Sequence, residues 1–216
     1  MKTKVGQIPA EFCKIDIFKL FSYFLVSGFI GWVFETLMVW VLLGQLTDRG
    51  FLFIMQPLGH YLPFLAGVPV LGSIPFVWGL PVILIYGLGG MAMCSLFKRW
   101  EKRPVLVFFI GMAVLTLLEL VASYVCEGLL HVTYWDYSSD FMNFQGRICL
   151  RSSLVWGALS VVAVKFFAPL IDRLYMRVRA RRFFKVIVTA LVVYVAVCAV
   201  VKYAIDPNII PNVVGV

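Results

Sequence analysis

The stretch PVLVFFIGMAVLTLLELVASYVCEGLL, residues 104–130, holds no charge except Glu119 and Glu127 and is long enough to cross a hydrocarbon layer as a helix. Pro104 opens it at a position where the missing backbone donor does no harm. A compact basic turn, Lys98, Arg99, Lys102 and Arg103, precedes it, and the loop HVTYWDYSSDFMNFQG follows it. This pattern predicts a membrane helix with a basic inner end and an aromatic, acidic outer end.

Composition agrees with that reading outside the stretch. Of 216 residues 62% are hydrophobic and 14% charged, and the mean hydropathy is +0.96, far from the balance of a water-soluble domain. The expected class is an all-α integral membrane protein, a single membrane domain over residues 1–216, with the lipid bilayer as its first partner. The net charge of +8 stands in short clusters between apolar runs, which suits a membrane surface and not nucleic acid.

Upstream, Met1 to Asp16 carries Lys2, Lys4 and Lys14 and reads as a cytoplasmic tail. The apolar run after it is too long for a signal-peptide core, so residues 17–44 read as the first crossing, with Glu35 deep inside. From Phe51 to Phe97 there is no formal charge, but Pro57, Pro63, Pro69, Pro75 and Pro81 recur every six residues. Each removes a backbone donor and clashes with the preceding helical turn. Residues 76–97 therefore read as a second helix. Residues 51–75 read as a proline-rich broken segment, lying at the outer surface or dipping in as a re-entrant loop.

Downstream, helices are expected at about 147–170 and 183–203, separated by the basic run Arg173 to Lys185. The result is a bundle of five transmembrane helices in a bacterial cytoplasmic membrane. With the N-terminus cytoplasmic and the C-terminus outside, every basic cluster falls on the inner side.

Ionisable residues inside apolar helices are expensive and mark partners or tasks. A rise of about 1.5 Å per residue sets Glu127 and Arg151 level near the outer end, which makes them the first expected ion pair. Glu119 falls deeper, about 17 Å in, with no cation at its depth, and Glu35 lies between. An unpaired carboxyl there is expected to hold a proton and to act as a proton carrier. Glu119, Ser123 and Glu127 share one helix face turned to the bundle interior. Arg147 is expected to meet Asp136 or Glu127, or to grip an anionic solute or lipid headgroup. His60 and Arg49 join the candidates from the broken segment and the turn before it. Cys126 and Cys149 lie at similar depth, which leaves a disulfide open.

The run WDYSSDFMNFQGRICLRSSLVWG, residues 135–157, with Glu119 and Glu127 before it, GWVFET at 31–36 and RGFL at 49–52, resembles the bacterial type IV ABC-transporter permease family, CmpB-like. The resemblance implies membrane location, a transport role and a shared polar constellation that includes Trp135, Asp136, Asn143 and Arg147. In that family the RGF turn is followed closely by a PIYG-like piece. Here the similar GLPVILIYGLGG, residues 79–90, comes only after residues 53–78, an insertion or a re-routed loop.

Chemistry inside this chain is limited. It has no GxxxxGK[ST] phosphate loop, so ATP-driven transport requires a separate ATPase subunit docked on the basic turns. Two histidines without HExxH spacing give no metal site, and no cofactor is expected. The leading expectation is a permease or permease subunit, alone or as a homodimer, with Glu35, Glu119, Glu127, Arg147 and Arg151 at its centre. An enzyme acting on a lipid or amphiphile at the outer leaflet and a structural or assembly protein are the alternatives.

Overall fold

The computed structural model describes residues 16–44, 50–131 and 133–205. Residues 1–15 of the expected tail and Arg49 lie outside the described residues. Among the described residues seven α-helices and one β-hairpin follow in order: α1 (Ile17–Leu43), β1 (Phe51–Pro57), α2 (Leu58–Tyr61), β2 (Pro75–Leu80), α3 (Leu84–Leu96), α4 (Pro104–Leu130), α5 (Leu150–Val162), α6 (Ala168–Val178) and α7 (Arg182–Val200). Among the described residues four stretches are long and apolar enough to cross a membrane: 17–41, 104–128, 150–178 and 182–200. Their outer faces are apolar, with Val105, Leu117 and Val186 at least 60% exposed. A protein bathed in water would not present such flanks, whereas lipid covers them at no cost. The chain is a membrane protein.

The expected all-α bundle of five crossings is corrected at one place. Residues 75–80, predicted as the start of a helix 76–97, pair instead as an antiparallel strand with residues 51–57, Phe51 opposite Leu80 and Phe53 opposite Trp78. The helical part shortens to α3, 13 residues or about 20 Å, too short to cross alone. The hairpin also accounts for the displaced family-like piece. A Cβ on Gly50 would lie 3.2 Å from the Val82 nitrogen and 2.7 Å from the Trp32 ring, so the two ends of the excursion through residues 51–81 meet beside α1.

From that junction α3 runs antiparallel along α1. Small residues permit the approach: a Cβ on Gly31 would stand 2.3 Å from the Tyr86 ring, and one on Gly90 would meet Ser27 at 2.0 Å. Close backbone contact of this kind is how helices associate in lipid, where no hydrophobic force drives them together. At the far end Asp172 of α6 accepts from Tyr23 at 2.5 Å and pairs with Lys19 at 2.9 Å and with Lys98. The basic turn after α3 therefore lies at the same end of the bundle as the start of α1.

α5 and α6 form one long rod with a π-helical turn at Ala163–Phe167. Pro169 explains it, because its ring nitrogen cannot donate to the Lys165 carbonyl and the ladder must step past that position. Cys94 of α3 is fully buried against this turn, its thiol 3.9 Å from the Ala163 carbonyl. The hairpin packs through Phe51 and Phe53 on Val195 and Cys198 of α7. Buried Lys202, just past α7, donates to the Gly50 carbonyl at 3.2 Å.

Candidate functional site

α4 and α5 form the hairpin that carries the polar centre, and the loop between them folds back into it. Asp136 anchors that loop by accepting from the backbone N–H of Ser138 at 2.9 Å and from its hydroxyl. These bonds hold the Asp136 carboxyl below the ordinary carboxylate range, the hydroxyl first and the backbone N–H second. Asn143 donates to the carbonyls of Ser138 and Asp140 at 3.1 and 2.9 Å, and Trp135 donates its indole N–H to the Arg147 carbonyl at 2.8 Å. Gly146 has φ +69°, and a Cβ there would strike Asp136 Oδ1 at 2.6 Å. The three motif residues Trp135, Asp136 and Asn143 thus shape the loop.

That shape delivers Tyr137 to Glu119. Tyr137 donates its hydroxyl to Glu119 Oε1 at 3.0 Å, while Ser152 and Trp156 of α5 each donate to Oε2 at 3.1 Å. Ser152 is oriented for this by the N-terminus of α5, where its hydroxyl accepts from the backbone N–H of Cys149 at 3.3 Å. Glu119 is 4% exposed, and among the described residues none of the ion pairs includes it. Burial raises the Tyr137 phenol well above its ordinary range, and neighbouring Glu119 adds to the effect. The hydroxyl therefore stays protonated as a donor.

Glu35 joins from α1. Tyr86 of α3 donates to it at 3.0 Å and lays its ring 5.5 Å from the Trp156 ring. Each tyrosine lies within electrostatic reach of the other and of both carboxyls. Ser123, one turn outward from Glu119, donates to Glu127 at 3.3 Å. Above it opens an indentation lined by Ser123, Cys126, Glu127, Thr133, Tyr134 and Trp135.

The expected pair of Glu127 with Arg151 is replaced. Arg147 takes Glu127, stacks on Tyr124 at 4.5 Å and donates to Gln145 at 2.9 Å. Arg151 is mostly exposed and pairs with Asp140 at 2.9 Å. The helix begins at Leu150, so Arg147 belongs to the loop and can turn back, whereas Arg151 faces outward. Cys126 and Cys149 are free thiols, with no disulfide between them. His60 sits exposed in α2 against Tyr61, away from the cluster. Among the described residues no three His, Cys, Asp or Glu side chains gather as a metal site. Sequence reasoning missed Tyr86, Ser152, Trp156 and Asp140. Trp156 and Ser152 carried a signal, since a serine and a tryptophan four residues apart in an apolar helix share one face.

A family model described as "Putative ABC-transporter type IV" matches residues 22–202, which span every element of this site. The chain belongs to that family. No curated protein and no solved structure matches it. The type IV ABC-transporter match covers α1 from residue 22 and all of α2 through α7, including the hairpin that separates the RGF turn from the IYG-bearing helix.

Proposed function

We propose that this chain is the membrane-embedded permease subunit of an ABC-type transporter, with its polar centre at Glu119 and Glu35. The observation that carries the reading is Glu119, a buried carboxyl in an apolar helix whose two oxygens are held by neutral donors only. Packing alone does not call for an acid at that depth in an apolar helix. A centre of that kind suits a species that comes and goes.

Arg147 and Arg151 belong to the outer cover of this centre in this reading, each engaged by its own carboxylate. The energy source is a separate ATPase. Its docking surface is the basic turn Lys98, Arg99, Lys102 and Arg103, beside which Arg99 stacks on Trp100 at 3.9 Å. That turn and the basic run of α6 face the cytoplasm, with the C-terminus on the opposite side of a bacterial inner membrane.

Native mass spectrometry of the tagged chain from its own membrane tests the reading. The expected result is a complex with a P-loop ATPase that K102E/R103E abolishes and Glu119→Gln preserves. A homo-oligomer with no nucleotide-hydrolysing partner overturns it.

A further inference from the structure

The rod of α5 and α6 is longer than a membrane needs. Its span, residues 150–178, has 29 residues and is about 44 Å long as a helix, against a hydrocarbon core of about 30 Å. The surplus is about nine residues, which brings the last two turns of α6 to the headgroup level. The span of α7 starts at Arg182, so the turn 179–181 lies at the same membrane surface. That turn is firmly built. The Arg179 N–H donates to the Tyr175 carbonyl at 2.8 Å, the Arg181 N–H donates to the Val178 carbonyl at 2.9 Å, and the Tyr175 and Phe184 rings meet edge to face at 5.8 Å.

α6 buries Ala168, Ile171 and Tyr175 and turns Leu170, Arg173, Leu174 and Arg177, spaced by three and four, to the opposite side. Deeper in the rod the same face continues through exposed Phe166, one turn before Leu170. An apolar strip therefore runs up to two arginines where the hydrocarbon ends. Arg179, Arg181, Arg182 and Lys185 extend the positive surface around the turn, and all six cations are exposed. Nothing neutralises them. Asp172, the single acid between residues 168 and 205, is held by Lys19 and Lys98, and Asp16 accepts from Tyr175. Among the described residues none of the six joins an ion pair. Two rest near rings, Arg181 at 5.7 Å from Phe183 and Lys185 at 5.6 Å from Phe18.

We infer that this face of α6, with the turn into α7, is a binding site for anionic phospholipid. Arg173 and Arg177 take the phosphate, which guanidinium groups bind in a bidentate fashion, while an acyl chain lies along Leu170 and Phe166. The order of the two chemistries along the helix is the order of a lipid standing in its leaflet, chain toward the membrane centre and phosphate at the surface. A soluble acidic protein would meet the arginines and leave the strip beneath them uncovered. An uncharged lipid would cover the strip and leave the cluster of positive charge unanswered, and such clusters beside a span attract anionic headgroups. The site needs only a membrane at this end of the bundle, so it does not depend on the permease reading, and it leaves Lys102 and Arg103 to the ATPase.

The test titrates the full chain in mild detergent with phosphatidylglycerol or with phosphatidylcholine of the same acyl chains and counts bound lipid by native mass spectrometry. Phosphatidylglycerol should be preferred, and the preference should shrink as ionic strength rises. It should fall about fivefold with each arginine replaced in the series R173Q, R173Q/R177Q and R173Q/R177Q/R182Q. K102E/R103E should leave it unchanged, and glycerol phosphate, a headgroup without chains, should not displace the lipid. Melting temperatures without added lipid show that the variants are folded, as expected for exposed side chains outside every ion pair. Equal binding of the two lipids by wild type, a preference indifferent to salt, or a folded triple variant that retains it overturns the inference. Displacement by glycerol phosphate, or a soluble protein held through these arginines with no lipid preference, overturns it too.

Discussion

Trp156 donates its indole N–H to Glu119 at 3.1 Å across the interface of α4 and α5, and both side chains are buried. A buried acceptor left without its donor costs about 1–3 kcal/mol. Trp156→Phe keeps most of the ring volume and removes only the donor, so it should lower stability by about that amount in a detergent melt. Combined with Glu119→Leu, the loss should be smaller than the sum, because the orphaned oxygen is gone. Additive losses would show that the bond contributes nothing.

Gly31→Ala should separate α3 from α1. The added methyl would stand 2.3 Å from the Tyr86 ring, and the ring cannot retreat without giving up Glu35 or the contact with Trp156. Overpacking of this kind costs about 1–3 kcal/mol. Unchanged thermal stability would place Tyr86 elsewhere.

A double-mutant cycle distinguishes the two arginines. Glu127 with Arg147 should show coupling of about 0.5–3 kcal/mol, toward the low end because both side chains are partly exposed. Glu127 with Arg151 should be additive, since Arg151 is turned to Asp140. Coupling in the second cycle would reverse the assignment.

How much of this was legible beforehand differs between the two hairpins. α4 was readable because its apolar run, Pro104 and the basic turn are local signals that agree. The β-hairpin was not, because Phe51 and Leu80 meet across an excursion of charge-free sequence, and FLFIMQP shows no alternation of polar and apolar residues. The prolines read as helix breakers in sequence, whereas two of them, Pro57 and Pro75, face each other where the paired strands end. Depth arithmetic failed for Arg151 for a different reason: it assumed a helix from Arg147, three residues too early.

The loop that delivers Tyr137 should depend on pH with a definite sign. Asp136 has a depressed carboxyl in the folded state, so its contribution is present above the unfolded value of about 3.9 and lost as pH falls through the folded one. Hydrogen exchange at the Ser138 amide should therefore quicken only at acid pH, beyond the intrinsic trend. Asp136→Asn, which keeps an accepting oxygen, should remove that pH dependence while leaving protection at neutral pH. Acid-insensitive protection in the wild-type protein would argue against the Asp136 turn.

Asp172 is the fastening at the opposite end, and its partners make a sharp test. Lys19 of α1, Lys98 after α3 and the Tyr23 hydroxyl all converge on one carboxylate of α6. Asp172→Asn keeps the shape but leaves two ammonium groups facing a neutral amide. Both lysines are about one-third exposed, so solvent softens the repulsion, and a loss of about 1–3 kcal/mol is expected. Salt screens both the attraction lost and the repulsion gained, so the gap between variant and wild type should narrow as ionic strength rises. Adding Lys98→Met to the variant removes one of the facing charges and should restore part of the loss. A gap independent of salt and of Lys98 would mean that these charges do not tie α1, α3 and α6 together.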